Sequence, residues 1–202
     1  MYIRKDGYYR LAKQRGYRSR ASFKLIQLNH SYGIIHKNDN ALDIGASPGG
    51  WMQVTIDIIG RRGTAVGIDV LEIPAINAAN AVTIKGDIND PAVRQMAVHA
   101  IGRRFDVVLS DLSLNLTGDA SSDAVRHLSM AGSILSFLPE LLKEGGNFLI
   151  KLFYSNESKM FLKQAGRYFE TVYTTKPKAS RSSSSELYMA GKGFIANGVK
   201  KP

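Results

Sequence analysis

The sequence contains no cysteine, which excludes disulfide bonds, thiolate metal sites and a cysteine nucleophile. Histidine is scarce, and its four positions lack the spacing of metal ligands, so no metal site is expected. No apolar run approaches the roughly 18 residues of a membrane-spanning helix. The basic N-terminus also lacks the apolar segment of a signal peptide. These absences predict a soluble, cytoplasmic protein that uses neither a metal nor a membrane.

Positive charge is concentrated at the two ends of the chain. The net charge is +10 over 202 residues, with +6 in residues 1–20, +5 in residues 176–202 and −1 in the rest. This distribution is typical of a protein that binds a polyanion, and the tyrosines among the N-terminal cations suit stacking on RNA bases. A pair of solvated basic tails is the alternative. The length fits one domain over 1–202, with basic extensions at 1–20 and 192–202.

A glycine-rich turn follows the first apolar segment, in the sequence Asp-Ile-Gly-Ala-Ser-Pro-Gly-Gly-Trp at residues 43–51. Strand, glycine turn and helix in this order place a nucleotide-like ligand at the carboxyl end of a strand. Gly45, Gly49 and Gly50 allow the sharp turn and a close approach to the ligand. Because Ser47 replaces the glycine that admits a pyrophosphate, a dinucleotide is disfavoured.

Strand and helix patterns alternate along the chain, which predicts a doubly wound, mostly parallel α/β sheet covered on both faces. The last two strands are separated by a polar loop and are expected to pair antiparallel. Strands are predicted at 41–44, 64–69, 81–85, 105–110, 147–153, 169–175 and 187–190. Helices are predicted at 21–30, 51–58, 91–101, 122–142 and 157–167. The third of these should bury Val93, Met96, Ala97, Ala100 and Ile101, and Pro139 should kink or end the fourth.

Three aspartates end or closely follow consecutive strands. Asp69 stands where a carboxylate binds the hydroxyls of a ribose, and Asp87 could accept from an adenine amino group. Asp111 would place a negative charge beside the reactive centre. One such aspartate alone would be read as a helix cap, but three after a glycine turn favour a ligand site.

Lys151 interrupts the apolar segment 148–153, where a buried strand is predicted. Lysine is seldom buried without a partner or a task. Burial and a nearby cation favour a neutral amine, which can accept a proton, whereas a nearby carboxylate has the opposite effect. Lys24 is the candidate cation, and Asp111 and Glu186 are the candidate carboxylates, although Lys24 and Glu186 are each unremarkable alone. A salt-bridged lysine at a strand end is the alternative for Lys151.

Taken together, these segments resemble the FtsJ-type ribose 2′-O-methyltransferases of RNA, which use S-adenosylmethionine (AdoMet). The resemblance runs from about Ser19 to Tyr188, and Lys24, Asp111, Lys151 and Glu186 correspond in order to the family's Lys-Asp-Lys-Glu tetrad. The other matching segments are Ser19–Leu25, Asp43–Trp51, Ser110-Asp111, Asn115, Gly118, Gly145-Gly146 and Ser184–Tyr188.

The resemblance implies a class I, Rossmann-like methyltransferase with a seven-stranded sheet and its last strand inserted antiparallel. It implies AdoMet contacts at Gly45, Gly49, Trp51, Asp69, Asp87 and Asp111. Lys151 would be the base, and Lys24 and Glu186 would position the ribose. The expected reaction is methylation of a uridine 2′-hydroxyl in large-subunit ribosomal RNA by a monomer. At Leu112–Asn115 the family commonly has Met-Ala-Pro-Asn, and the missing proline predicts a looser loop.

Four alternatives stay open at the level of sequence. An NAD-dependent dehydrogenase would use a similar fold, although Ser47 disfavours it. A non-catalytic RNA-binding module would explain the basic ends but not a lysine inside an apolar strand. Within the family, a tRNA anticodon loop or an mRNA cap could be the target instead of ribosomal RNA.

Overall fold

A computed structural model describes residues 7–113, 120–196 and 198. Two residues singled out above, Asn115 and Gly118, therefore lie outside the described part, as do residues 1–6 and 199–202 of the basic extensions. No helix in the described part of the chain is long and apolar enough to cross a membrane.

The described residues contain six α-helices and seven strands; their predicted order is confirmed for all but the first helix, which the sequence did not predict. The helices are α1 (Gly7–Gln14), α2 (Ser22–Tyr32), α3 (Gly50–Ile59), α4 (Pro91–Ile101), α5 (Ala120–Leu141) and α6 (Asn156–Ala165). The strands are β1 (Ala41–Ile44), β2 (Ala65–Asp69), β3 (Ala81–Lys85), β4 (Phe105–Ser110), β5 (Leu142–Phe153), β6 (Phe169–Thr175) and β7 (Glu186–Phe194).

The strands form one sheet in the order β3-β2-β1-β4-β5-β7-β6. The first five in this order are parallel, and β7 lies antiparallel between β5 and β6. The predicted seven-stranded sheet with its last strand inserted antiparallel is therefore confirmed. The order reverses between β1 and β4, and ligands of open α/β sheets bind at such a switch point, outside the carboxyl ends of the strands.

Apolar side chains cover both faces of the sheet. Helices α2 and α3 pack on one face, where Leu25, Met52 and Val54 are buried. Helices α4, α5 and α6 pack on the other face, around Val108, Leu138 and other apolar side chains. Helix α1 lies outside this arrangement and packs on α2. Because both faces are covered, the central strands are mostly apolar on both sides, as the run at 105–110 indicated.

The structure corrects the inward face predicted for α4. Val93 and Ala97 are buried, but Met96 is 56% exposed and Ala100 is exposed as well. Arg94 is buried in their place, because its guanidinium lies over the ring of Phe137 and pairs with Glu140. Apolar periodicity did not predict this burial, which depends on a charged group finding partners on the neighbouring helix.

Two further local features differ from the sequence prediction in their bounds. Strand β5 begins at Leu142, and a bulge over residues 143–146 precedes its regular pairing with β4. Gly145, with φ of +73°, provides the left-handed conformation at this bulge. Pro139 lies in the last turn of α5, which ends two residues later, so the proline stands close to the helix end as expected.

Candidate functional site

A cleft of about 660 Å³ opens at the carboxyl edge of the sheet, where the sequence predicts the ligand site. The glycine turn and the ends of β1, β2 and β4 form its walls. Its lining includes Lys24, Gly45, Trp51, Asp69, Asp87, Asp111, Lys151 and Glu186. Of the predicted site residues, only Gly49 is absent from this lining. The fold therefore brings together the tetrad and nearly all of the proposed cofactor contacts.

The glycines of the turn are required by close contacts within the protein. Gly45 has φ of +79°, and a Cβ there would lie 2.8 Å from the backbone of Leu112. Gly49 has φ of +100°, and a Cβ there would lie 2.8 Å from the guanidinium of Arg18. Gly45 thus allows the loop after β4 to approach the turn. Contact of Gly49 with a cofactor stays a prediction, since its nearest neighbours are Arg18 and Ile76.

Asp69, at the end of β2, organises the loops around the cleft. One carboxylate oxygen accepts from the backbone N–H of Ser47 at 2.9 Å, and the other accepts from that of Leu71 at 2.8 Å. A carboxylate offers about four acceptor positions, so two remain for ligand hydroxyls. Asp87 similarly holds its own turn, where one oxygen accepts from the backbone and side chain of Asn89.

Lys151 is buried in β5, with 4% of its surface exposed, and is bound to Asp111 in two ways. Its Nζ donates to the main-chain oxygen of Asp111 at 2.7 Å and lies 3.2 Å from the carboxylate Oδ1. The hydroxyl of Tyr188 donates to the same Oδ1 at 2.6 Å. Burial raises the pKa of Tyr188 well above its usual value, and the charge of Asp111 raises it further, so the hydroxyl keeps its proton.

Lys24 and Glu186 form a second buried ion pair in the cleft. Lys24 Nζ lies 2.8 Å and 2.9 Å from the two carboxylate oxygens of Glu186. Burial alone would raise the pKa of Glu186, but Lys24, together with Ser180 and the charge of Lys151, outweighs it, and the net shift is downward. The lysine in direct contact with Glu186 is therefore Lys24, whereas Lys151 contacts Asp111.

Trp51 connects two walls of the site. Its indole Nε1 donates to the main-chain oxygen of Ala21 at 2.9 Å, and its ring lies 6.1 Å from that of Tyr188. These contacts fix the start of α2, which carries Lys24, against the glycine turn. Trp51 thus has a structural task in addition to its predicted contact with the cofactor.

Asp43 is a site residue that the sequence reasoning did not assign. It lies in β1, lines the cleft and is 3% exposed, and its Oδ2 is buried with no hydrogen-bond partner among the described residues. Burial, followed by the charges of Asp111 and Asp69, raises its pKa to about 8. The sequence did hold a signal, because Asp43 interrupts a buried apolar strand as Lys151 does.

His127 is the second residue without an assigned role. It is buried on α5, and its Nε2 lies 2.9 Å from the main-chain oxygen of Leu112. A carbonyl only accepts, so Nε2 carries the proton and donates. Nδ1 is buried with no partner among the described residues. Burial lowers the pKa of His127, so the neutral ring fixes the segment next to Asp111. No local pattern distinguished this histidine from the other three.

The comparisons with known proteins agree with this geometry. The family model of the FtsJ-like methyltransferases matches residues 17–194. The chain belongs to the FtsJ-like methyltransferase family. The tetrad, the glycine turn and the three strand-end aspartates all fall inside the matched region, so the resemblance stated from sequence is confirmed.

Two relatives of the FtsJ-like chain carry the name ribosomal RNA large subunit methyltransferase E. The protein from Methanothermobacter thermautotrophicus is 41% identical over 191 residues, covering 95% of this chain and 90% of its own length. That from Methanocaldococcus jannaschii is 40% identical over 195 residues, covering 95% and 79%.

Solved structures support the same class I methyltransferase fold. A Plasmodium falciparum protein described as a ribosomal RNA methyltransferase matches with a TM-score of 0.78 and 28% identity, over 89% of this chain and 99% of its own. Aeropyrum pernix fibrillarin, solved with natively bound S-adenosyl-L-methionine, matches with a TM-score of 0.59 over 87% of this chain and 75% of its own. Its identity of 16% makes that likeness one of fold alone.

Proposed function

We propose that this protein is an AdoMet-dependent ribose 2′-O-methyltransferase that acts on a uridine of large-subunit ribosomal RNA. The observation that carries the proposal is the convergence of two lysine–carboxylate pairs, Lys151–Asp111 and Lys24–Glu186, in one cleft beside a glycine turn. The names of the relatives support ribosomal RNA as the substrate, and the resemblance of the tetrad supports the 2′-hydroxyl of a uridine.

The carboxyl groups of the cleft fit AdoMet as hydrogen-bond acceptors. Asp69 has acceptor capacity for the two ribose hydroxyls, and Asp87 has it for an adenine amino group. Asp43 offers a buried carboxyl oxygen without a described partner to the ammonium group of the methionyl part. When bound, AdoMet would supply a methyl group already activated by its sulfonium charge. Asp43, Asp69, Asp87 and Asp111 would all favour a cationic ligand.

Lys151 is proposed as the group that removes the proton from the 2′-hydroxyl. An ammonium group has three donors, and two of those of Lys151 face the main-chain and carboxylate oxygens of Asp111. Lys151 must release one proton before it can accept another, and contact with Asp111 opposes that release. We propose that the third direction of Nζ faces the ribose and that Lys24 and Glu186 hold the sugar. Buried fixed groups of this kind favour catalysis by positioning.

The basic ends are proposed to bind the RNA around the target. In the described part, Arg10, Lys13 and Arg15 are exposed on and after α1, and Lys176, Lys178 and Arg181 are exposed in the loop before β7. The side chain of Gln27 connects these two regions, since it accepts from the N–H of Ala179 and donates to the hydroxyl of Tyr8. We propose one catalytic domain with basic extensions at 1–20 and 192–202, acting as a cytoplasmic monomer.

The proposal is tested by mapping 2′-O-methyl groups in RNA from cells with and without the gene. A single uridine of large-subunit ribosomal RNA should lose its methyl group in the deletion strain. Loss of a methyl group from tRNA or from an mRNA cap would instead identify that RNA as the substrate. Unchanged methylation of all RNA would refute the proposed function.

The matching experiment in vitro uses methyl-labelled AdoMet, an unmodified transcript of large-subunit ribosomal RNA or the ribosomal particle, and the variant Lys151→Ala. We expect methyl transfer to fall by at least about 100-fold, as loss of a general base does. AdoMet affinity by calorimetry should be retained. Near-normal turnover of the variant would show that Lys151 is not the general base.

A further inference from the structure

An exposed aromatic side chain lies immediately after the strand that carries Lys151. Tyr154 follows the last residue of β5, and 62% of its surface is exposed. At about 3.3 Å per residue, its backbone lies about 10 Å from that of Lys151 along the strand direction. Tyr154 is not among the residues that line the cleft, so it adjoins the proposed reaction centre through the strand that carries Lys151.

The backbone of Tyr154 is fixed on both sides. Its N–H donates to the main-chain oxygen of Ser185 at 2.9 Å, and Ser185 directly precedes Glu186 of the tetrad. On its other side, Ser155 begins α6 with a capping box, in which Ser155 and Ser158 exchange hydrogen bonds. An aromatic side chain on a fixed backbone loses little conformational freedom when it binds a ligand.

A cation accompanies the ring. Nζ of Lys159 lies 5.2 Å from the ring centre of Tyr154. Lys159 is exposed on the first turns of α6 and makes no ion pair with a carboxylate of the described chain. An aromatic face for a base and a lysine for the backbone are the two elements with which proteins bind single-stranded nucleic acid.

Tyr154 differs in these respects from Tyr173, another exposed tyrosine. Tyr173, which is 41% exposed, lies on edge strand β6 and packs its ring against Tyr32 at 4.9 Å. A single exposed apolar side chain needs no special explanation. Here, however, the ring is carried by a hydrogen-bonded backbone at the end of the strand that holds the proposed base, and a lysine lies over it.

We propose that Tyr154 stacks on a nucleobase next to the methylated nucleotide and that Lys159 contacts the adjoining phosphate. This inference rests on the proposed function, since it assumes an RNA ribose at Lys151. The ring would hold an unstacked strand in the cleft without reading its sequence, because every base offers a flat face.

The test compares RNA affinities of Tyr154→Ala and Tyr154→Phe, with Tyr173→Ala as the matched control, on an unmodified large-subunit ribosomal RNA transcript. Tyr154→Ala should raise the Kd for RNA by roughly 5-fold to 100-fold, the range found when a stacking ring is removed. Tyr154→Phe and Tyr173→Ala should stay within about 2-fold of the wild type. AdoMet affinity should be equal in all four proteins.

A Kd of Tyr154→Ala equal to that of the wild type would overturn the stacking proposal, as would equal impairment in Tyr154→Phe. Wild-type methylation of the same transcript separates the two claims. If the wild type methylates no RNA, the proposed function fails. If it does and Tyr154→Ala binds normally, only the stacking proposal fails.

Tyr154→Trp provides a second measurement that does not depend on a loss of RNA affinity. Trp51 is buried and is the only tryptophan in the chain, so the new indole would supply the exposed fluorescence emission. RNA should quench this emission, and unchanged emission at saturating RNA would contradict stacking.

The contact proposed for Lys159 is tested by salt dependence. Lys159→Gln should reduce the slope of log Kd against log salt concentration by about 0.7, the value for one phosphate contact of a single strand. An unchanged slope would exclude the phosphate contact.

Discussion

Tyr188 and Lys151 share one oxygen of Asp111: the tyrosine hydroxyl donates to Oδ1 at 2.6 Å, and the lysine Nζ lies 3.2 Å from the same atom. The two side chains lie opposite each other in neighbouring strands, since Lys151 of β5 pairs with Tyr188 of β7. The insertion of β7 next to β5 therefore provides the residue that orients the carboxylate beside the proposed base.

Tyr188→Phe should weaken this arrangement without leaving a cavity in the core. The ring is fully buried, and phenylalanine keeps its packing while removing one hydrogen bond to a charged group. We expect the free energy of unfolding to fall by roughly 2 kcal/mol and kcat to fall by about 10-fold. Urea unfolding and single-turnover methylation measure the two effects. If kcat does not change, the hydroxyl has a structural role alone.

Asp43→Asn tests the buried carboxyl group of β1. Its folded pKa of about 8 lies above the unfolded value of 3.8, so the folded state binds the extra proton between these values. Stability from this group is therefore present at low pH and is lost as pH rises towards 8. Asparagine does not ionise, so the variant avoids this loss of stability. Its melting temperature relative to the wild type should therefore increase between pH 4 and pH 8 and then level off. A constant difference across this window would show that Asp43 does not titrate there.

The same carboxyl group predicts a proton linked to cofactor binding. A cation beside Asp43 favours the carboxylate, so AdoMet binding at pH 7 should release a proton from it. Calorimetry in buffers of different ionisation enthalpy measures that release. Asp43→Asn should abolish it and weaken binding, whereas the same release in the variant would assign the proton to another group.

The fold could be predicted from the sequence because its signals are local. The bounds of β1, β3, β4 and β6 agree with the apolar runs at those positions. The tetrad could be predicted only through the resemblance, because Lys24 and Glu186 are 162 positions apart and neither is unusual in its own segment. Residues whose burial depends on a distant partner, such as Arg94, were missed for the same reason.

His127→Gln and His127→Leu separate the hydrogen bond of this residue from its volume. Glutamine can keep a donor near the position of Nε2, and leucine cannot. His127→Leu should lose about 1 kcal/mol of stability and should also lower kcat, because the segment that carries Asp111 is no longer tied to α5. His127→Gln should recover most of both. Equal losses in the two variants would indicate that packing matters and the donor does not.

The pH dependence of stability provides a second measurement on His127. Its pKa is lowered in the folded state, so the unfolded chain binds more protons just below pH 6.5. Stability from this group is present above that pH and is lost as pH falls through the folded value. His127→Gln should therefore lose less stability than the wild type between pH 7 and pH 5. Parallel curves would contradict a buried neutral histidine.

Lys24→Met should weaken the pH dependence of stability that Glu186 contributes. In the wild type, the pKa of Glu186 is lowered, so its stability is present above pH 4.5 and is lost as pH falls further. Without Lys24, only Ser180 and the charge of Lys151 oppose the effect of burial, so the pKa of Glu186 should rise and the loss of stability on acidification should become smaller. The uncompensated charge should cost about 3 kcal/mol at pH 7, and the double variant Lys24→Met/Glu186→Gln should regain much of it. Urea unfolding of both variants and the wild type from pH 4 to pH 8 measures the slopes, and a slope in Lys24→Met equal to that of the wild type would show that Lys24 is not the partner that keeps Glu186 charged.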